Sequence, residues 1–226
     1  MLPGQSGTSS GLGRAEQIGH RLSFTIATVA MIALAGWLTN TAAGATLGAH
    51  AIRRLGFAPA DTPSVNVLRA VVSAFVTNGP VAFWLALAAT ALLVGLTEWR
   101  HGSLRATFIF WGAHLATLVL SWVVFAPMRL AGQPIGSLLY ITRDVGPSAG
   151  YVGCLGYLVG SLRGTWRWPA FATIVAVLLG MLAFNAVGIS SEPAELSAAV
   201  SHLIAMLVGF GASALTLRRQ PDSQDA

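Results

Sequence analysis

The chain has 226 residues, of which 54% are hydrophobic and only 9% charged, with a formal net charge of +5 and a mean hydropathy of +0.68. A soluble domain carries about 25% charged residues, so this balance excludes an ordinary soluble fold and indicates a polytopic membrane protein. The basic excess comes from arginine alone, since no lysine is present; in such a chain it carries topology and headgroup contact and gives no nucleic-acid partner.

Residues 1–20 are rich in Gly and Ser and are expected to form a disordered cytoplasmic tail. The first apolar run, Leu22–Ile52, holds no Asp, Glu, Lys or Arg. A signal-peptide core is about 7–15 residues, so this run is too long to be one and is expected to span and remain. About 20 residues cross the hydrocarbon core, which places its exit near Gly44–His50. Residues 53–78 combine Arg53, Arg54 and Asp61 with Pro59 and Pro63, a mixture that rules out a span and suits a structured loop at the interface. Four further runs without Asp, Glu, Lys or Arg follow at Gly79–Thr97, Ala106–Met128, Val145–Leu162 and Trp168–Ser191, and Leu196–Leu217 completes the set. The expected fold class is therefore an all-α membrane protein, a bundle of six transmembrane helices over residues 21–217, with a second cytoplasmic tail at 218–226. Several tryptophans, among them Trp84, Trp99, Trp122 and Trp166, fall near expected span ends, as interfacial aromatics do.

Arginine sets the orientation. Arg14 and Arg21, Arg100 and Arg105, Arg163 and Arg167, and Arg218 and Arg219 pair on one side, against Arg53, Arg54, Arg69, Arg129 and Arg143 on the other. The first side is assigned to the cytoplasm with both termini, and loops 53–78, 129–144 and 188–195 to the outside. The expected location is a bacterial plasma membrane.

The candidate chemistry lies in Asp144-Val145-Gly146-Pro147-Ser148-Ala149-Gly150-Tyr151-Val152-Gly153-Cys154-Leu155-Gly156, where one serine sits among glycines at the start of an apolar segment. A serine hydroxyl needs a positioned base to become a nucleophile. His202, inside the last span, is the candidate at a matching depth: Ser148 is expected about three residues into its helix and His202 about six into its own, both entered from the outer face. Ala198, His202, Ala205, Gly209 and Ser213 share one helical face, and Gly146, Gly150, Gly153, Gly156 and Gly160 would let the two backbones approach. An ordinary glycine-packed bundle with an incidental serine and a buried histidine shows the same spacings. Asp144 is expected to N-cap the serine's helix. Cys154 is a small apolar filler with no partner for a disulfide. No His, Cys or Glu cluster has metal-ligand spacing, and no cofactor is expected.

These segments, in this order, resemble the rhomboid family of intramembrane serine proteases. In that family a Gly-x-Ser-Gly motif opens the fourth helix; here Gly146, Ser148, Gly153 and Gly156 match, and Ala149 replaces the glycine after the serine. Ser201-His202-Leu203-Ile204-Ala205 with Gly209 resembles the family's sixth-helix Ala-His-x-x-Gly-x-x-x-Gly. Leu68-Arg69-Ala70-Val71-Val72-Ser73-Ala74-Phe75 resembles its Trp-Arg loop segment, and Glu98-Trp99-Arg100-His101-Gly102-Ser103 its Glu-x-x-x-Gly turn. The resemblance implies a Ser148/His202 dyad cleaving transmembrane substrates, with the bilayer as its other partner. The family's second-helix His-x-x-x-Asn donors fall here on Ala82 and Ala86, which donate nothing; Asn78 and His114 are the polar groups near enough to substitute, each also explicable as a turn residue or a structural histidine. Without those donors the resemblance implies a weak protease, or a catalytically silent relative that binds or escorts membrane proteins. A soluble nucleophile elbow is excluded, because no strand–turn–helix alternation surrounds Ser148. A small transporter would carry intramembrane charges that these runs lack.

Overall fold

The computed structural model describes residues 21–187 and 193–217; the expected tails at 1–20 and 218–226, and most of the expected loop at 188–195, lie outside the described residues. The chain runs through α1 (Ser23–Leu38), α2 (Ala49–Leu55), α3 (Pro63–Val72) and α4 (Pro80–Ala89), which continues through a π-helical turn at Thr90–Val94 into α5 (Gly95–His101). Then come α6 (Ser103–Leu130), α7 (Pro134–Ile141), α8 (Ser148–Gly160), a 3-10 turn at Gly164–Trp166, α9 (Arg167–Val187) and α10 (Pro193–Leu217). Among the described residues the one departure from helix and loop is a single antiparallel bridge between Phe57 and Asp144.

Among the described residues, four helical stretches are long and apolar enough to cross a membrane: Pro80–His101, Ser103–Leu130, Gly164–Val187 and Pro193–Thr216. That is the composition of an integral membrane protein. Two of the expected spans are shorter. α1 has 16 residues and α8 has 13, about 24 and 20 Å at 1.5 Å per residue, less than the roughly 30 Å of a hydrocarbon core.

The run Leu22–Ile52 stops being helix at Leu38 because Thr39-Asn40-Thr41 offers the terminal carbonyls other partners. Thr39 Oγ1 donates to Ala35 O at 2.7 Å, and the Ala42 N–H donates to Gly36 O at 3.1 Å, while Asn40 takes the left-handed conformation at φ 60°. At its other end α1 is docked by Glu98. The buried carboxylate accepts from the N–H groups of Phe24 (2.9 Å) and Thr25 (2.7 Å) and from Thr25 Oγ1 (2.6 Å), groups that a helix start leaves without internal partners. Gly102, at φ 86°, then reverses the chain into α6.

α8 is the centre of the bundle, packed most extensively against α10 and next against α6. Its glycines divide between those neighbours. A Cβ on Gly150 or Gly153 would collide with Phe110 or Ala113 of α6, whereas one on Gly156 or Gly160 would collide with the Met206 carbonyl or Ser213 of α10. Gly209 of α10 presses on the carbonyl of Gly153. The glycine stripe expected to serve one interface therefore serves two. α9 stands at the outside, with Leu178 its one buried residue.

Candidate functional site

The segment leading into α8 is positioned by the first loop. Phe57 and Asp144 exchange backbone hydrogen bonds (2.8 and 3.0 Å), Ala60 N donates to Tyr140 O (3.1 Å), and Gly146 N donates to Ser73 O (2.7 Å). Asp61 is ion-paired to both Arg69 and Arg143. Arg143 also donates to Gly56 O at 3.1 Å, and Arg69 Nε to Arg54 O at 3.1 Å. The two guanidiniums, Arg143 foremost, hold the Asp61 carboxyl below its ordinary range against the opposing effect of burial.

Gly146 adopts φ 128°, a conformation that favours glycine, and turns the chain sharply between the bridge and the helix. This turn overrides the expectation for Asp144. The cap position of α8 falls on Pro147, no side chain caps the helix, and Asp144 is held upstream on the bridge to Phe57. Burial pushes its carboxyl up to about 6, against the lowering effect of a hydrogen bond from the Val145 N–H. Ser148 is consequently the first residue of α8, not the third. Its N–H finds no acceptor among the described hydrogen bonds and sits at the positive end of the helix dipole. α10 begins at Pro193, so His202 lies deeper along its helix than a start at Leu196 implied.

Ser148 and His202 nevertheless line one cavity of about 430 Å³. Its wall also includes Asn78 and Gly146, and both Ala82 and Ala86 of α4. Asp144 and Arg143 border it from the pre-helix segment, Tyr151 from α8, and Glu195 and Ala198 from α10. No Ser148–His202 hydrogen bond is present; His202 Nε2 is buried without a partner. A buried imidazole nitrogen without a partner is costly unless something uses it, and such groups cluster at functional sites.

The remaining expected site residues lie elsewhere. Gly150 faces α6, where Phe110 leaves no room for a side chain. His114 is buried on α6 and its Nε2 bonds to Ala70 O at 2.8 Å, fastening α6 to the last turn of α3, and it does not border the cavity. Tyr151 and the Asp61 clamp were not anticipated. The first was within reach, since position 151 follows 148 at helical i+3 spacing; the second joins residues 82 apart in sequence and has no local signature. Comparison with protein-family models, with curated proteins and with solved structures finds no match to this chain.

Proposed function

We propose that the chain is a rhomboid-like intramembrane serine protease of six spans, two of them short, with both termini cytoplasmic, that cleaves transmembrane substrates slowly. The observation that carries this reading is convergence: the Gly-x-Ser segment, the sixth-span histidine and the second-span positions 82 and 86 border one cavity. In the proposed reaction Ser148 Oγ attacks the scissile carbonyl carbon while His202 accepts the hydroxyl proton. His202 then gives that proton to the leaving amine, and water, with His202 again as base, hydrolyses the acyl ester. The Ser148 N–H supplies one oxyanion donor. Asn78, in the bend just before α4, is a side chain in the cavity wall able to supply a second.

A second reading has its own support. Ala82 and Ala86 in that wall donate nothing, and loss of one oxyanion donor costs on the order of 3–4 kcal/mol of transition-state stabilisation. The alternative is a catalytically silent bundle that binds membrane helices. A serine-directed fluorophosphonate separates the two. The protease reading expects covalent labelling at Ser148, none in Ser148→Ala, a sharp fall in His202→Ala, and faster turnover in the double variant Ala82→His/Ala86→Asn. No labelling of the wild type or of the double variant would leave the helix-binding reading. The orientation has a separate test: Ser64→Cys should react with a membrane-impermeant thiol reagent in intact cells, and reaction only after lysis would reverse it.

A further inference from the structure

A second cavity, of about 350 Å³, opens between α6 and α10 beside Tyr157, about two and a half turns along α8 from Ser148. It exists because the facing residues are too small to meet. Gly112 and Ala113 of α6 and Val208 and Ala212 of α10 line it, and a Cβ on Gly112 would meet nothing within 4 Å. Its walls are apolar along about 10 Å, the rise from residue 105 to residue 112. They end at Arg105, near the paired hydroxyls of Tyr157 and Thr216, which lie 3.2 Å apart.

Both helices forming this cleft are long and apolar enough to span, so the cleft lies within a transmembrane part of the bundle. Water would find few polar partners along it and needs two to four to be held. An acyl chain needs none. The mouth fixes what the chain is attached to. Arg105 is exposed, and no carboxylate among the described residues lies within 4.0 Å of it. Glu98, the acidic group nearest in sequence, is buried and committed to the start of α1. A guanidinium at the end of an apolar slot, with hydroxyls beside it, matches a phosphate joined to a hydrocarbon chain.

We propose that this cleft binds one anionic phospholipid, with an acyl chain lying between Gly112 and Ala212 and its phosphate on Arg105. The site is independent of the cavity at Ser148 and does not depend on the protease reading. The test uses the full chain purified in detergent and offered equal amounts of phosphatidylglycerol and phosphatidylcholine with matched chains, bound lipid being counted by native mass spectrometry. The expected result is one retained lipid with phosphatidylglycerol preferred about fivefold, the effect of one cation near an anionic headgroup. Arg105→Gln should remove the preference, and Arg163→Gln, an exposed arginine outside the cleft, should leave it intact. Gly112→Leu points into open space and should fill the slot, abolishing retention of either lipid with an unchanged melting temperature. Inorganic phosphate at the lipid's concentration should not compete. Equal retention of the two lipids, an Arg105→Gln protein with undiminished preference, retention surviving Gly112→Leu, or displacement by phosphate alone would each overturn the proposal. So would a dimeric mass that Gly112→Leu converts to a monomer, which would make the cleft an interface between two copies.

Discussion

α8 and α9 follow one another in the chain, are both predominantly apolar, and have opposite surroundings. Ten of the 13 residues of α8 are buried, against one of 21 in α9. Hydrophobicity does not separate them, because lipid tails are as apolar as leucine and give helices no reason to associate. Residue size does: helices approach in a bilayer where small side chains admit dispersion contact between backbones. On α8, Gly150, Gly153, Gly156 and Gly160 each sit where a Cβ would collide with a neighbouring helix, whereas Gly180 on α9 faces open space. The candidate nucleophile is thus carried by a tightly held helix, and a loosely held one flanks it.

The most severe break in this contrast is expected from Gly209→Leu, whose side chain would have to displace the Gly153 carbonyl. Overpacking costs about 1–3 kcal/mol where side chains can yield, and backbone yields least, so a loss at or above the top of that range is expected. Gly180→Leu on α9 should shift the melting temperature little. Equal effects of the two substitutions would remove size as the explanation. Next in magnitude is Asp61→Asn, which leaves Arg69 and Arg143 without their shared carboxylate and loosens the segment entering α8. A loss of about 1–3 kcal/mol is expected for these partly buried groups. Because Asp61 is depressed below 3.8 in the folded state, its contribution is complete above that value and declines as pH falls through the folded one. Wild type and Asp61→Asn should therefore converge in stability in strong acid; a gap independent of pH would mean the carboxylate charge is not what binds the loops.

How far the sequence reveals this arrangement depends on the range of the forces involved. Span positions follow from runs of uncharged residues, and α4 with α5, α6, α9 and α10 fall close to them. The end of α1 does not, because Thr39-Asn40-Thr41 breaks the helix inside an uncharged run by hydrogen bonding, which hydropathy does not register. The glycine spacing of α8 marks close packing but not which neighbour each glycine meets. Asp144 looked like a cap from local spacing alone, and a long-range bridge to Phe57 together with the turn at Gly146 placed it elsewhere. The pairing of Ser148 and His202 in one cavity was legible from motif order; the absence of a hydrogen bond between them was not.

Within α9 the same contrast can be sharpened residue by residue. Leu178 is buried and Leu179 is 49% exposed. Leu178→Ala removes packing against the neighbouring core and should cost about 1–2 kcal/mol, below the usual large-to-small range because lipid can follow the helix surface. Leu179→Ala should fall within about 0.5 kcal/mol of wild type. Thermal melts in one detergent suffice, and a larger loss at 179 would place the lipid-facing side of α9 against protein.

At Asp144 the expected effect is small, and its sign carries the information. Burial raises its carboxyl from 3.8 to about 6, so between those values the folded chain holds more protons than the unfolded one. Stability from this group therefore falls as pH rises through that window and stays low above it. Asp144→Asn keeps the backbone bridge to Phe57 and removes the charge, so it should be the more stable protein at pH 7.5, by on the order of 1 kcal/mol. The advantage should shrink at pH 5, where Asp61 is still ionised and adds nothing to the difference. A carboxylate capping α8 predicts the opposite, since an ionised cap at a helix start is stabilising and its loss would be felt most at neutral pH. Melting curves of wild type and Asp144→Asn at the two pH values decide between them: a variant less stable at pH 7.5 would return Asp144 to the helix start, and a more stable one keeps it as a half-buried carboxyl on the bridge beside the Ser148 cavity.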